Sequence, residues 1–160
     1  MTPTAKVLTV SDGVAAGERD DRSGRALVER LSEAGYSVVE HRVCADGIDE
    51  VAAALRHLCA GFAGLVVTTG GTGFGPRDLT PEGTRAAIER EAPGLAEAIR
   101  RASDAGGRGF GMLSRGVAGT IGPCLVCNLP GSASGAVEAL GVVLPVVAHA
   151  LDLLAGGRPH

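Results

Sequence analysis

Aromatic side chains are nearly missing from this 160-residue chain, which has no tryptophan, one tyrosine and three phenylalanines. Surfaces that stack nucleic-acid bases are built from such rings, so their scarcity argues against that function. The core must instead be packed with valine, leucine, isoleucine and alanine, which favours helices laid on a sheet. Lysine is just as scarce, Lys6 being the only one. A Walker A loop needs Gly-Lys-Ser/Thr and is therefore absent, so phosphate must be held by backbone amides, hydroxyls, arginines or a metal. Charge of one sign is not concentrated either: the formal net charge is −3 and the basic residues are scattered. That pattern suggests neither a nucleic-acid groove nor a polybasic membrane patch. Residues 1–6 are polar, and the apolar run after them breaks at Ser11-Asp12, so no signal peptide is expected. No uninterrupted apolar stretch is expected to reach the length of a membrane span. Together these features predict a cytoplasmic protein with no nucleic-acid or membrane partner.

Cysteine is limited to Cys44, Cys59, Cys124 and Cys127. The last pair spells C-x-x-C, a redox or zinc signature at a helix start. Here it falls inside an apolar run that reads as a buried strand, where residues three apart face opposite sides, so packed, reduced thiols are expected. His41, His57, His149 and His160 have no metal-ligand spacing with one another or with the cysteines. The length suits a single domain over residues 1–160, with roughly two-thirds of its unfolded surface buried.

Along the chain, apolar runs alternate with amphipathic ones. Residues 6–10 read as a strand closed by Ser11-Asp12-Gly13. Leu27, Leu31 and Ala34 recur at helical spacing from Ser23 to a stop at Gly35. Residues 36–44 return as a strand, and Ile48, Val51, Ala52, Leu55 and Cys59 mark the next helical face. A third strand at 65–69 is followed by a helix from 81 to about 91, and Pro93-Gly94 is read as a break before a further amphipathic segment at 95–102. Residues 103–111 are glycine-rich loop, 116–121 and 124–129 are strands, and a long helix runs from about 134 to 154 with a possible interruption at Pro145. The alternation predicts an α/β fold with a mainly parallel sheet and helices on both faces, with room for an antiparallel strand in the irregular middle. In such open sheets ligands bind beyond the carboxyl ends of the strands.

The stretch that carries most chemistry is Thr68-Thr69-Gly70-Gly71-Thr72-Gly73, followed by Arg77-Asp78 and Thr80-Pro81. Glycines let backbone N–H groups approach an anion, and threonine hydroxyls add hydrogen bonds. Thr80 reads as the N-cap of the next helix and Pro81 as its first residue. Asp78 on the loop's lip would repel bound phosphates unless a cation lay between them. Asp46 also follows a strand and precedes a helix, where an N-cap role competes with a role beside Asp78 as a magnesium ligand. Asp12 reads equally well as a turn former or as part of a site edge.

These motifs, in this order, resemble the MogA/MoaB family of molybdenum cofactor biosynthesis. The resemblance also covers Ser11-Asp12 with Gly17, Asp21 and Ser23-Gly24 behind it, then Leu113-Ser114-Arg115, and Asn128-Leu129-Pro130-Gly131-Ser132. It implies a three-layer α/β/α sandwich and a homotrimer, with a hexamer as the alternative. It further implies Mg²⁺-dependent transfer of AMP from ATP to molybdopterin, a molybdopterin adenylyltransferase activity releasing pyrophosphate, with a molybdenum-insertion protein as a downstream partner. By resemblance, Asp46 and Asp78 are the catalytic acids and metal ligands. Ser11, Asp12, Thr69, Gly70, Gly71, Thr72, Gly73, Pro130 and Gly131 belong to the substrate site, and Ser114, Asn128 and Ser132 to its molybdopterin pocket. Arg77 or Arg115 is available to pair with phosphate. Alanine precedes Asp46 where many relatives carry proline. The competing reading is a non-catalytic, molybdopterin-binding MoaB-type paralogue.

Overall fold

A computed structural model describes residues 2–104 and 107–160. Of the glycine-rich segment, Ala105 and Gly106 lie outside the described residues. Six strands, β1 (Thr4–Val10), β2 (Ser37–Cys44), β3 (Gly64–Thr69), β4 (Arg90–Glu91), β5 (Ala118–Ile121) and β6 (Cys124–Leu129), form one sheet in the order β2-β1-β3-β6-β5-β4. The first four in that order run parallel, while the edge beyond them is built from antiparallel pairings of β5 with β6 and of β4 with β5. The central strands β3 and β6 are buried along their whole length, as expected of runs of β-branched and apolar residues covered on both faces.

Among the described residues the α-helices are α1 (Asp12–Ala15), α2 (Arg22–Glu33), α3 (Ile48–Cys59), α4 (Thr80–Ala87), α5 (Pro93–Ala102) and α6 (Ala133–Leu154), the longer ones lying on the two faces of the sheet. Leu27 and Leu31 of α2, Ile99 of α5 and Leu140, Val143 and Val147 of α6 pack on Val7, Val67 and Cys127. On the opposite face Val51, Leu55 and Leu58 of α3, with Ala87 and Ile88 beside them, pack on Leu8, Val66 and Val126. Neighbouring strand residues such as Val66 and Val67 thus serve different layers, as the two-residue period of a strand requires. The result is the expected three-layer α/β/α sandwich. Cys124 and Cys127 fall in opposite cores, both fully buried, and burial pushes the Cys127 thiol up to about 12. The C-x-x-C spacing is therefore a product of strand packing.

Four local expectations are corrected. Thr80 lies inside α4, with Leu79 at the N-cap, because the Thr80 hydroxyl donates to the Gly70 carbonyl at 2.8 Å. That helix ends at Ala87, and residues 90–91 extend to pair with β5. Pro93 starts α5 rather than breaking the chain, since proline is well suited to the first turn. Finally, α6 continues without interruption through Pro145 for 22 residues and is long and apolar enough, by length and composition alone, to cross a membrane. In the fold its inner face, including Ala136, Ala139 and Leu140, belongs to the sheet's core.

Asn128 in the middle of the sheet is 2% exposed. Its amide nitrogen donates to Thr68 Oγ1 and Thr84 Oγ1, each at 3.0 Å, and its oxygen accepts from the Val117 N–H at 3.0 Å. It ties β3, α4 and the lead into β5 to β6 from one side chain. Removing it strands two hydroxyls and an amide in the core, so Asn128→Ala is expected to cost about 2–4 kcal/mol in urea unfolding. A loss below about 1 kcal/mol contradicts this role.

Candidate functional site

Strand register sets the site. Val10 is level with Cys44, Thr9 with Thr69, and Thr69 with Leu129, so four parallel strands end at one height. The helix after β1 lies on one face and the helix after β2 on the other. The ends of β1 and β3 therefore meet at the point where the winding reverses, the usual place for a ligand crevice.

Beyond β3 the backbone turns through Gly70 (φ 101°) and Gly71 (φ 70°). A Cβ on Gly70 would sit 2.2 Å from the Val10 carbonyl oxygen, and one on Gly71 would sit 2.2 Å from Thr80 Oγ1. Both positions therefore need glycine for space as well as for φ. Thr69 donates to the Pro130 carbonyl at 2.7 Å, and Gly131 lies against Gly70, so the turn is stitched to the end of β6.

Asp46 does not cap α3. The N-cap is Gly47, with no side-chain cap bond. Instead Asp46 Oδ2 accepts from the Asp12 N–H at 2.8 Å, and Asp12 Oδ1 accepts from the Asp46 N–H at 3.1 Å. Asp12 is the first residue of α1, which Ser11 caps by accepting from the Val14 N–H at 3.2 Å. Arg77 closes the arrangement, donating to both Asp12 oxygens at 3.0 and 3.1 Å and to the Asp46 carbonyl at 2.8 Å. Its guanidinium holds the Asp12 carboxyl below the usual carboxylate range. Burial raises the Asp46 carboxyl above that range, and the negative charges of Asp12 and Asp78 add to the shift.

Asp78 Oδ2 accepts from the Gly75 N–H at 2.9 Å. Arg115 supports this loop from outside, donating to the carbonyls of Gly73 at 2.8 Å and Asp78 at 2.6 Å and pairing with Glu82 at 2.7 Å. Both arginines available for phosphate are thus engaged with the protein.

Asp46, Asp78 and the Gly70-Gly71 turn line one cleft of about 1020 Å³, together with Ser11, Thr69, Gly131 and Ser132. Asp12, Thr72, Gly73 and Pro130 stand behind this lining and shape it through the bonds of Asp12 to Asp46, of Thr72 and Gly73 to Arg115, and of Pro130 to Thr69. Asn128 is consumed in the core, and Ser114 accepts from the Gly116 N–H at 3.4 Å without reaching the cleft. Sequence reasoning did not assign Arg19, Asp20, Arg22, Ala133 or Ser134 to the site, yet they line it. The motif around Asp21 and Ser23 was the available signal: Asp21 Oδ1 accepts from the Gly24 N–H at 2.9 Å and so starts α2 at the cleft edge.

The donor set suits a hard divalent cation. Among the described residues, one oxygen each of Asp46 and Asp78 accepts no protein hydrogen bond, and no group of three or more His, Cys, Asp or Glu side chains is placed to cage a metal. Two carboxylates with phosphate and water completing the shell is a usual arrangement for magnesium.

Comparison with known proteins places these features in a family. Residues 6–149 match the family described as "Probable molybdopterin binding domain". The chain is 37% identical over 153 residues to a molybdopterin adenylyltransferase of Helicobacter pylori J99, covering 94% of this chain and 86% of that one. It is 38% identical over 154 residues to a molybdenum cofactor biosynthesis bifunctional protein of Chlorobaculum tepidum, covering 96% of this chain but only 49% of that longer protein. Among solved structures, the molybdopterin biosynthesis enzyme MoaB of Thermus thermophilus superposes with a TM-score of 0.85 at 43% identity, covering 97% of this chain and 98% of that one. With a family match across most of its length and close similarity to solved relatives, the chain belongs to the MogA/MoaB family of molybdopterin binding domains.

Proposed function

We propose that this protein transfers AMP from Mg-ATP to the terminal phosphate of molybdopterin in molybdenum cofactor biosynthesis, giving adenylyl-molybdopterin and pyrophosphate. The observation that carries this reading is the meeting of two acids, far apart in sequence, at a glycine turn on the same cleft. Both reactants are anionic, so the catalyst's tasks are neutralising charge and holding the acceptor oxygen in line with the α-phosphorus. Asp46 and Asp78 would hold a magnesium ion, which supplies neutralisation for the phosphate chain. Gly70 and Gly71 leave their amides open to phosphate oxygens, and Ser132 brings the start of α6 to the cleft. Arg77 acts through Asp12, fixing the backbone from which Asp46 projects. No residue need become covalently attached to substrate.

A binding-only paralogue is the alternative, and pyrophosphate release from Mg-ATP with and without molybdopterin separates the two. The expected homotrimer remains part of the proposal. The outer face of α6, with Val142, Val146 and Leu153 exposed by 41%, 48% and 44%, offers an apolar surface for self-association.

Asp78→Asn and Asp46→Asn are each expected to lower molybdopterin-dependent pyrophosphate release by about 100-fold or more without lowering the temperature of thermal unfolding. Release at the wild-type rate by a folded variant removes that acid from the mechanism. A pH dependence follows as well. Asp46 must be ionised to hold the cation, and its carboxyl is raised by burial and by its acidic neighbours. Mg-ATP affinity should therefore fall on acidification earlier than an ordinary carboxylate would dictate, and Asp46→Asn should flatten that limb. The sign for folding is the opposite: the native state binds this proton more readily than the unfolded chain, so Asp46 ionisation subtracts stability as pH rises through its titration. Calorimetric titration of the non-hydrolysable analogue Mg-AMPCPP across the acidic range reads the first effect, and a flat wild-type profile contradicts it.

A further inference from the structure

The cleft has two unlike ends. Asp46 and Asp78 approach it from the α3 and α4 side of the sheet, whereas the 19–23 segment and the first turn of α6 approach it from the other side. Arg19 and Arg22 both line the cleft, Arg22 as the first residue of α2 and Arg19 with its stem laid over Gly13 of α1. Among the described residues neither guanidinium is within ion-pair distance of a carboxylate, while Arg77 is occupied by Asp12 and Arg115 by Glu82. Their acidic neighbours are engaged elsewhere. Asp21 binds His41 Nε2 at 2.9 Å and Thr9 Oγ1 at 2.7 Å, and Asp20 approaches Arg25 at 3.8 Å. Arg19 is also held in place: the N–H groups of Glu18 and Arg19 donate to the Gly13 carbonyl at 2.9 and 3.2 Å. Its stem crosses Gly13 so closely that a Cβ there would lie 2.7 Å from Arg19 Cδ.

Two anions must share this cleft if the adenylyl-transfer reading holds, and this inference rests on that reading. A cation held by Asp46 and Asp78 serves the nucleotide's phosphate chain, since magnesium is commonly bound through carboxylates plus substrate phosphates. The other anion, a phosphate monoester, needs a separate source of positive charge. Arginine forks match phosphate oxygens with strong charge-assisted bonds, and a following helix start adds oriented amides. We propose that Arg19 and Arg22, which line the same cleft as the acids and as Ser132 at the start of α6, bind the terminal phosphate of the pterin acceptor and leave the cation held by the acids to the nucleotide.

The test is the double variant Arg19→Gln/Arg22→Gln, titrated calorimetrically with molybdopterin and, separately, with Mg-AMPCPP. Both side chains are exposed, so unfolding should be unaffected, and a thermal melt checks this. The expected result is a loss of molybdopterin affinity of about tenfold or more, with Mg-AMPCPP affinity changed less than about threefold. Unchanged molybdopterin affinity overturns the proposal, as does a loss confined to Mg-AMPCPP or a wild-type protein that binds no molybdopterin. Because both readouts are binding, a protein that binds molybdopterin through these arginines but releases no pyrophosphate would sink the adenylyl-transfer reading and leave this assignment standing.

Discussion

The constraint on which the site depends is the passage of the β3 backbone past the end of β1. At Gly70 the chain must take a positive φ and lie so near the Val10 carbonyl that no side chain fits, and one residue later Gly71 is pressed against Thr80. This contact decides where the loop can go. It carries the chain over the ends of the parallel strands and brings it down at Thr80, whose hydroxyl and N–H bind the carbonyls of Gly70 and Gly71. The start of α4 and the path of Asp78 are fixed by the same few bonds. A larger residue at position 70 would have to move β1 or abandon the turn, and either change would dismantle the cleft.

Around that turn, charge is arranged in layers. Arg77 and Arg115 do not face the cavity; they hold the loops behind it, one through Asp12 and one through two carbonyls and Glu82. Asp12 and Asp46 each accept from the other's N–H, which locks the end of β1 to the end of β2. Asp46 is thereby placed beside Asp78 in a partly buried setting, where its carboxyl is raised by burial first and by like charge second. A cation bound from the ligand side would offset the like-charge part of that shift on Asp46.

The sequence showed the longer strands and the larger helices because each carries a clear pattern: β3 and β6 read as continuous apolar runs, and α2 and α3 as apolar stripes. The glycine turn was legible because two threonines precede it and an acid and Thr-Pro follow it. What the sequence did not show were features decided by distant partners. Thr80 looks like a helix cap, and only the approach of Gly70 claims its hydroxyl. Asp46 also looks like a cap, but Asp12, 34 positions away, supplies the N–H it accepts. Asn128 belongs to a pocket motif, yet its amide is used entirely inside the sheet. The two-residue strand β4 has too little pattern to read, and Arg19 and Arg22 look like ordinary solvated charges until the cavity beside them is seen. Ladder positions and burial are written locally; the assignment of individual polar groups is written in tertiary contacts.

A shared cation site between Asp46 and Asp78 is the central claim, and a crystal structure of the protein with Mg-AMPCPP tests it most directly. The predicted result is one octahedral ion with a carboxylate oxygen from each acid at about 2.1 Å and with phosphate oxygens of the nucleotide completing its shell above the Gly70-Gly71 turn. A nucleotide bound with its metal elsewhere, or with either acid turned out of the cleft, would contradict it.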